Sequence, residues 1–226
     1  MTDEPPILPI TPEEEAWLIA RCAELDRLAA GVELGELPAA RPGWPIVLLD
    51  LDDVLCLNEL VGGLDALDAL RGKRLDAGFV FRNLWSARAV AILRGVHVHF
   101  AGRLRYVISS SWRRHFTRAQ IRQVMHRSGL EFVAWCLEAG ERWATPVMPT
   151  QTRAHEVLAW LQEHHRGEPH VVIDDEYSGS ELKTYSGAGA ELLKGRVVLC
   201  EEWAGLWPAH YPRIVAALST PCPRDV

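Results

Sequence analysis

Four short apolar runs, each ending at a polar or small residue, constrain the fold of this chain more than any other feature. They read PIVLLD, RYVISS, HVVIDD and RVVLC, and they begin at residues 45, 105, 170 and 196. An unbroken apolar run of this length is typical of a strand that is covered on both faces, as in a parallel sheet. EFVAWC, from residue 131, shows a weaker form of the pattern, and we predict a fifth strand there.

Helical patterns separate these runs. They cover about residues 86–95, 113–127 and 153–164. Alternation of strand and helix predicts an α/β fold in which helices flank a mostly parallel central sheet, with right-handed crossovers. A chain of 226 residues that is 48% hydrophobic is long enough for one good-sized core. We therefore expect one domain with embellishments rather than two domains.

The amino-terminal part of the chain predicts a separate helix. Thr11 is a suitable N-cap and Pro12 suits the first helical position, and apolar residues then recur at helical spacing to about Ala30. We accordingly divide the chain into an N-terminal helical extension over residues 1–45 and a main domain over residues 46–226.

Composition narrows the compartment and the class of partner. The sequence contains no apolar stretch near the ~20 residues that a membrane span requires, and residues 1–15 lack the basic and apolar regions of a secretion signal. The five cysteines are scattered without a CxxC pair, which argues against a disulfide framework or a zinc knuckle and favours a reducing cytoplasm. The net charge of −6 disfavours non-specific coating of nucleic acid but leaves room for a local basic groove.

Polar side chains follow three of the predicted strands. In a parallel sheet the ligand crevice lies beyond the carboxyl ends of the strands, so these side chains should converge. The spacing of Asp50 and Asp52 places both on one face of the chain. The converging set is Asp50, Asp52, Ser109, Ser110, Asp174 and Asp175.

Four carboxylates in one place are unstable unless a cation offsets their charge. A hard divalent ion with oxygen ligands does so, and Mg²⁺ is the natural candidate because it also binds waters and substrate phosphate. Hydroxyls at the end of VISSS could donate to phosphoryl oxygens, and Arg153, at the start of the helix before HVVIDD, could supply a positive charge. The alternative for Asp174 and Asp175 is N-capping of a following helix.

These motifs, in this order, resemble those of the haloacid dehalogenase-like (HAD) superfamily of phosphohydrolases. The resemblance rests on LLDLDDVL, VISSSW, Arg153 and VVIDDEY, and it covers about residues 46–200. The longer stretches YVISSSWRR and RVVLCEEWAGL are similar to the HAD domain subgroup of predicted Swiss Army Knife RNA-repair proteins. The resemblance implies a Rossmann-like HAD fold with a small or absent cap.

The resemblance also implies a role for each motif residue. Asp50 would attack phosphorus and become an aspartyl-phosphate, while Asp52 would protonate the leaving group and then activate water. Either Ser109 or Ser110 would bind a phosphoryl oxygen together with Arg153. Mg²⁺ would be bound by the side chains of Asp50 and Asp174, the main-chain carbonyl of Asp52, and Asp175 directly or through water.

Two residues depart from the family pattern. Asp53 stands where glycine is common, and Arg153 stands where lysine is usual. An acidic residue also occurs at the first position, and arginine keeps its charge at any working pH, so both departures are compatible with the implied chemistry.

Substrate choice in this family depends largely on cap insertions, and residues 58–100 leave room for a short insert with one helix. Such reduced cover implies an open site that could admit a macromolecular end. Arg82, Asn83 and Trp85 lie in the insert and are candidates for substrate contact, and Trp112 is a candidate for substrate stacking.

We therefore expect a Mg²⁺-dependent phosphomonoester hydrolase whose phosphorylated substrate is a nucleotide or the terminal phosphate of RNA or DNA. The alternatives are a phosphatase of small metabolites and a catalytically silent HAD-fold module that binds or regulates. The intact pair of Asp50 and Asp52 argues against the silent module. The sequence does not indicate an oligomeric state.

Three further features have simpler interpretations. Ser111 could cap the helix predicted from residue 113, and His164 and His165 are predicted to be surface residues because adjacent helical side chains diverge. A basic stripe recurs every four residues after the second motif, and it could guide a polyanion to the site. We favour a solvated basic face instead. The stripe consists of Arg114, Arg118, Arg122 and His126.

Overall fold

The computed structural model describes residues 43–74 and 76–222. The helix predicted over residues 11–30, and with it nearly all of the predicted extension, lies outside the described residues.

Four parallel strands form one sheet, in the order β2–β1–β3–β4. They are β1 (Ile46–Leu49), β2 (Arg105–Ile108), β3 (His170–Asp175) and β4 (Val197–Cys200). All four strands lie within the apolar runs, and the α/β fold with a parallel sheet is confirmed. In the register, Leu49 at the end of β1 pairs with Ile108 and Ile173. The residues after β1 and β2 and those at the end of β3 therefore share one edge of the sheet.

Helices cover both faces of the sheet. They are α1 (Gly63–Leu70), α2 (Ala77–Arg82), α3 (Ala87–His99), α4 (Arg118–Arg127), α5 (Glu131–Cys136), α6 (Arg153–His164), α7 (Glu176–Thr184) and α8 (His210–Ser219). Three 3-10 helices span Ser111–Arg114, Gly140–Trp143 and Ala190–Leu192.

Alternate side chains of β1 enter two different hydrophobic clusters. Val47 and Leu49 belong to the larger cluster, which α3 and α8 help to form. Ile46 and Leu48 belong to the smaller cluster, which α6 and α7 help to form. All four side chains are fully buried, which explains why this strand is apolar at every position.

The predicted fifth strand is wrong, since Glu131–Cys136 forms α5. A short apolar run carries no periodicity that separates a buried strand from a buried helix. The chain reaches the sheet immediately afterwards, where Leu137 makes a single parallel bridge to Tyr106 of β2.

The helix predicted over residues 113–127 begins later, at Arg118. Thr117 accepts a hydrogen bond from the Gln120 backbone while the Gln120 side chain accepts from the Thr117 backbone, which is a capping box. The helix predicted over residues 153–164 is confirmed as α6, and that over 86–95 is confirmed as part of α3.

The segment over residues 58–100 contains three helices, α1 to α3, where one was expected. The N-terminus of α2 had a readable signal, because the Asp76 side chain accepts a hydrogen bond from the Phe79 backbone at 2.8 Å. No helix within residues 43–74 and 76–222 is long and apolar enough to span a membrane.

Candidate active site

Three buried carboxylates meet at the carboxyl edge of the sheet. Asp50 follows β1, and its backbone N–H donates to Ile173 O at 2.9 Å, which ties it to the neighbouring strand. Asp174 and Asp175 end β3. Each of the three offers an oxygen atom, and these atoms lie within 4.8 Å of one another, while the residues are at most 4% exposed.

Arg153 is the positive charge at this cluster. Its Nη2 lies 3.4 Å from Asp50 Oδ1, and its Nε lies 3.2 Å from Asp174 Oδ2. Burial raises the pKa of Asp50 well above its usual range, and repulsion from Asp174 adds to this effect while Arg153 opposes it. Burial likewise raises the pKa of Asp174, against the charge of Arg153 and a hydrogen bond from Ser178. One guanidinium beside three carboxylates leaves the cluster short of positive charge.

Buried polar atoms without hydrogen-bond partners concentrate at the same edge. Among the described residues, Asp174 Oδ2 and Asp53 Oδ1 are such acceptors, and Ser109 Oγ and Arg153 Nη1 are such donors. Arg153 Nε stands at ion-pair distance from Asp174 Oδ2 without hydrogen-bond geometry. Unpaired buried polar groups are costly, and here the acceptors suit a cation while the donors suit an anion. An all-oxygen carboxylate set of this kind fits Mg²⁺.

The serines of the second motif have different surroundings. Ser109 Oγ is buried without a partner among the described residues. Ser110 Oγ accepts a hydrogen bond from Trp112 N at 3.3 Å, which makes Ser110 the N-cap of the 3-10 helix. The cap considered for Ser111 is therefore wrong, and Ser111 Oγ instead donates to Asp52 Oδ2 at 3.2 Å.

Arg113 holds the backbone of the second motif, a role that the sequence did not suggest. This buried side chain donates to the carbonyl oxygens of Ser109 and Ser110, to Thr145 O at 3.0 Å, and to the carboxylate of Glu156. Glu156 Oε1 also accepts from Met148 N at 3.0 Å. The buried ion pair of Arg113 and Glu156 thus fixes where the serines stand relative to β1.

The carboxylate of Asp52 lies apart from the cluster of three. Its Oδ1 accepts a hydrogen bond from Trp112 Nε1 at 2.9 Å and a longer one from Asn58 Nδ2 at 3.4 Å. With Ser111 on Oδ2, both oxygens are oriented by side chains from other segments. The expectation that Asp52 offers a metal its main-chain carbonyl stays a prediction.

Both faces of the Trp112 ring are occupied by other aromatic rings. Its ring stacks on Trp85, with centroids 5.5 Å apart, and on Phe116, with centroids 5.0 Å apart. The expected substrate stacking on Trp112 is therefore wrong. A Cβ on Gly63 would come within 2.6 Å of this ring, so the glycine allows the insert to lie against Trp112.

A cavity of about 470 Å³ opens beside Asp52. The exposed side chains of Leu60 and Leu64 and the ring of Phe116 contribute its apolar lining. Its ionisable lining groups are Asp52, Asp65 and His115, and no lysine or arginine of the described residues lines it. Of the substrate-contact candidates, Arg82, Asn83 and Trp85 are absent from this lining.

The predicted basic stripe does not form as one helical surface. Arg114 lies on the 3-10 helix before α4. Arg118 and Arg122 point at the end of α5, where they donate to Glu138 O at 2.7 Å and to Ala134 O at 3.1 Å. His126 packs edge-on against Trp135. Two of the four basic side chains thus donate hydrogen bonds to carbonyl groups in α5 or just after it.

Comparison with known proteins gives one family. The family model described as the HAD domain in Swiss Army Knife RNA repair proteins matches residues 46–211, which include every candidate site residue. No curated protein and no solved structure matches the chain.

Proposed function

The chain belongs to the family of HAD domains in Swiss Army Knife RNA repair proteins, and we propose that it is a phosphomonoester hydrolase with Asp50 as its nucleophile. The observation that carries this proposal is the buried cluster of Asp50, Asp174 and Asp175, whose oxygen atoms lie close together and in which Arg153 forms ion pairs with Asp50 and Asp174. Asp175 also caps α7, as its alternative interpretation expected, since its Oδ1 accepts from the backbone of Tyr177 and Ser178. Such an arrangement costs stability without a ligand, and perturbed carboxylates of this kind are typical of catalytic sites.

The reaction proceeds in two displacements. A carboxylate oxygen of Asp50 attacks phosphorus, the bond from phosphorus to the ester oxygen breaks, and Asp52 donates its proton to the departing oxygen. Water then attacks the aspartyl-phosphate and gives a proton to Asp52, which regenerates the Asp50 carboxylate and releases phosphate. Asp52 suits this work because Trp112 and Ser111 orient its carboxylate beside the cavity.

Mg²⁺ completes the proposed site. The side chains of Asp50 and Asp174 and the main-chain carbonyl of Asp52 would hold it, with Asp175 bound directly or through water. When bound, the ion offsets the negative charge of the phosphoryl group and of the carboxylates around it.

Ser109 is the better candidate of the two serines for a phosphoryl oxygen. Its hydroxyl has no partner among the described residues, whereas the Ser110 hydroxyl caps the 3-10 helix. Arg153 Nη1 is a second unpaired donor at the same edge. Together they offer a neutral and a charged hydrogen bond to the transferred group.

We propose a nucleotide or the terminal phosphate of an RNA or DNA strand as the substrate. The cavity beside Asp52 would receive the leaving group. Its apolar rim, and the lack of lysine or arginine among its described lining residues, suit one terminal nucleoside better than a run of phosphates. The printed family name refers to RNA repair proteins. A small-metabolite phosphatase remains the second candidate. The cysteines at residues 56, 136, 200 and 222 are free, which supports a reducing compartment such as the cytoplasm.

Hydrolysis of a generic aryl phosphate with and without Mg²⁺ tests the chemistry. We expect metal-dependent turnover in the parent protein and in Asp68→Asn, a matched change on an exposed carboxylate of α1, and loss of turnover in Asp50→Asn. Turnover that survives in Asp50→Asn would overturn the nucleophile, and absence of turnover in every protein would favour the silent binding module. Active protein is then compared on 5′- and 3′-phosphorylated oligonucleotides, mononucleotides and sugar phosphates.

A further inference from the structure

At the amino edge of the sheet, away from the candidate active site, a second group of ligand-type side chains converges. His165 follows α6, His170 begins β3 and Cys222 follows α8. Their ligand atoms lie within 4.8 Å of one another. Along β3, the four steps from His170 to Asp174 place this group about 13 Å from the carboxylates. The surface position predicted for His164 and His165 is wrong, since both are half-buried.

Hydrogen bonds fix the tautomers of the two histidines. His170 Nε2 is 2.8 Å from Leu192 O, and His165 Nε2 is 2.7 Å from Glu168 O. A carbonyl oxygen only accepts, so each Nε2 carries the proton and each Nδ1 keeps its lone pair. Metal-binding histidines characteristically donate their other ring N–H to a carbonyl or carboxylate in this way.

The Nδ1 atom of His170 is the strongest indication of a cation site in this group. His170 is fully buried, and within the described part of the chain its Nδ1 has no hydrogen-bond partner. A buried, unpaired lone pair is costly, and a bound cation would satisfy it.

The third member is held in place by Arg196. The Arg196 guanidinium donates to the carbonyl oxygens of Ala217 and Thr220, both at 3.1 Å, and to Pro221 O at 2.9 Å. These bonds fix the turn that presents Cys222, which is a free thiol with 6% exposure.

We propose that His165, His170 through its Nδ1, and Cys222 through its Sγ bind one Zn²⁺ ion, with the fourth position open to water. Two imidazoles and a thiolate form a soft donor set that suits zinc, in contrast to the hard oxygen set at the other edge. With zinc bonds of 2.0–2.3 Å, ligands at tetrahedral angles stand about 3.3–3.6 Å apart. The three ligand atoms lie within 4.8 Å of one another, so binding one ion would bring them closer by about 1 Å. The ion would tie the turn after α8 to the start of β3.

This site escaped the sequence analysis because its ligands are far apart in the chain. A CxxC pair is a recognisable signal for a metal site, whereas here one cysteine joins two histidines that lie more than fifty residues earlier in the chain. Only the return of α8 to the amino edge of the sheet brings them together.

Zinc binding to metal-stripped protein tests the site, measured by competition with a chromophoric chelator while excess Mg²⁺ protects the carboxylates. We expect one zinc per chain in the parent and in Cys136→Ser, which makes the same change at a buried cysteine elsewhere. Cys222→Ser and His165→Ala should bind zinc at least about tenfold more weakly. Circular dichroism checks that each variant is folded.

Cobalt binding gives a second measurement, which does not depend on the affinity for zinc. Co²⁺ should produce a sulfur-to-metal charge-transfer band in the parent and in Cys136→Ser, and the band should be absent from Cys222→Ser. Equal zinc affinity in folded Cys222→Ser and the parent, or no zinc binding by the parent, would overturn the proposal. These readouts do not use catalysis, so they stand whether or not Asp50 is a nucleophile.

Discussion

Asp53 has a backbone φ of 53°, in the left-handed region that glycine adopts without penalty. Aspartate tolerates this region better than most residues, which explains how it occupies a position where the family often has glycine. Burial raises the pKa of Asp53, and the charges of Asp175 and Asp52 add to the rise. The residue thus combines backbone strain with an unfavourable charge.

We expect Asp53→Gly to be more stable than Asp53→Ala by about 1 kcal/mol, because both remove the carboxylate and only glycine relieves the backbone. Urea denaturation of the two variants under the same metal conditions measures the difference. An alanine variant as stable as the glycine variant would show that the positive φ costs nothing here.

Trp112 and Asp52 allow a test of orientation at a single atom. Trp112→Phe keeps the aromatic stack and removes the N–H that binds Asp52 Oδ1. If this bond positions the proton donor, kcat should fall by about tenfold or more on an alkyl phosphate, within the range of general acid catalysis. An activated aryl phosphate, whose leaving group needs little protonation, should be less affected.

Trp85→Phe is the matched control, because Trp85 lies in the same stack but donates to Ser128 Oγ instead. Both variants lose an indole ring near the site, so a general loss of rigidity there would lower kcat in both. An equal loss on both substrates in Trp112→Phe, or the same pattern in Trp85→Phe, would exclude a positioning role for the Trp112 N–H.

At the scale of elements, the strands were predictable and α5 was not. Burial on both faces makes every residue of a strand such as β1 apolar, and the sequence displays that directly. The six residues of α5 show no helical period, and arginines of α4 donate to Ala134 O in this helix and to Leu137 O and Glu138 O just after it. Hydrogen bonds from a neighbouring helix leave no signal in the sequence of α5 itself. The start of α4 was readable, since Thr117 and Gln120 stand at capping-box spacing.

The double variant Arg118→Ala, Arg122→Ala should lose about 1–3 kcal/mol of folding stability, because it leaves carbonyl groups at the end of α5 without their donors. Its ratio of activity on an oligonucleotide phosphate to that on an aryl phosphate should stay unchanged. Thermal and urea unfolding measure the first quantity and parallel rate assays the second.

Arg114→Ala is the control for this pair. Arg114 is exposed and approaches Glu156 only at 3.9 Å, so its loss should change stability by less than about 0.5 kcal/mol. A selective loss of oligonucleotide activity in the double variant would restore the hypothesis that these arginines guide a polyanion.

At the scale of the whole molecule, the sheet explains how much of the candidate site the sequence could predict. Asp50, Asp174 and Asp175 meet because β1 and β3 are parallel neighbours, and the alternation of strands and helices predicts the parallel sheet, although it does not predict the order of its strands. The partners of Asp52 could not be predicted, since Ser111 and Trp112 are 59 and 60 residues away in the chain. Their contact depends on how the insert and the second motif pack together.

The buried carboxylates also set how stability depends on pH. A carboxyl group whose pKa is raised by folding stabilises the folded state most below its unfolded pKa. For Asp50 this contribution is lost as the pH rises from near 3.8 through its raised folded pKa. In the metal-free fold an ionised Asp50 is a buried charge beside Arg153, and a bound cation would offset it further.

Without metal at neutral pH, we expect Asp50→Asn to be more stable than the parent by about 1–3 kcal/mol, the usual cost of a buried polar group that lacks its full set of partners. This advantage should shrink as the pH falls through the raised pKa of Asp50 toward 3.8, its ordinary value, because the folded protein then holds the carboxyl protonated. Added Mg²⁺ should stabilise the parent by about 1.4 kcal/mol per tenfold concentration above its Kd, and should act less on Asp50→Asn. Urea denaturation from pH 4 to 8, with chelator or Mg²⁺, measures both effects. Asp68→Asn should follow the parent throughout, and a parent more stable than Asp50→Asn in chelator at neutral pH would show that Arg153 alone compensates the buried charge.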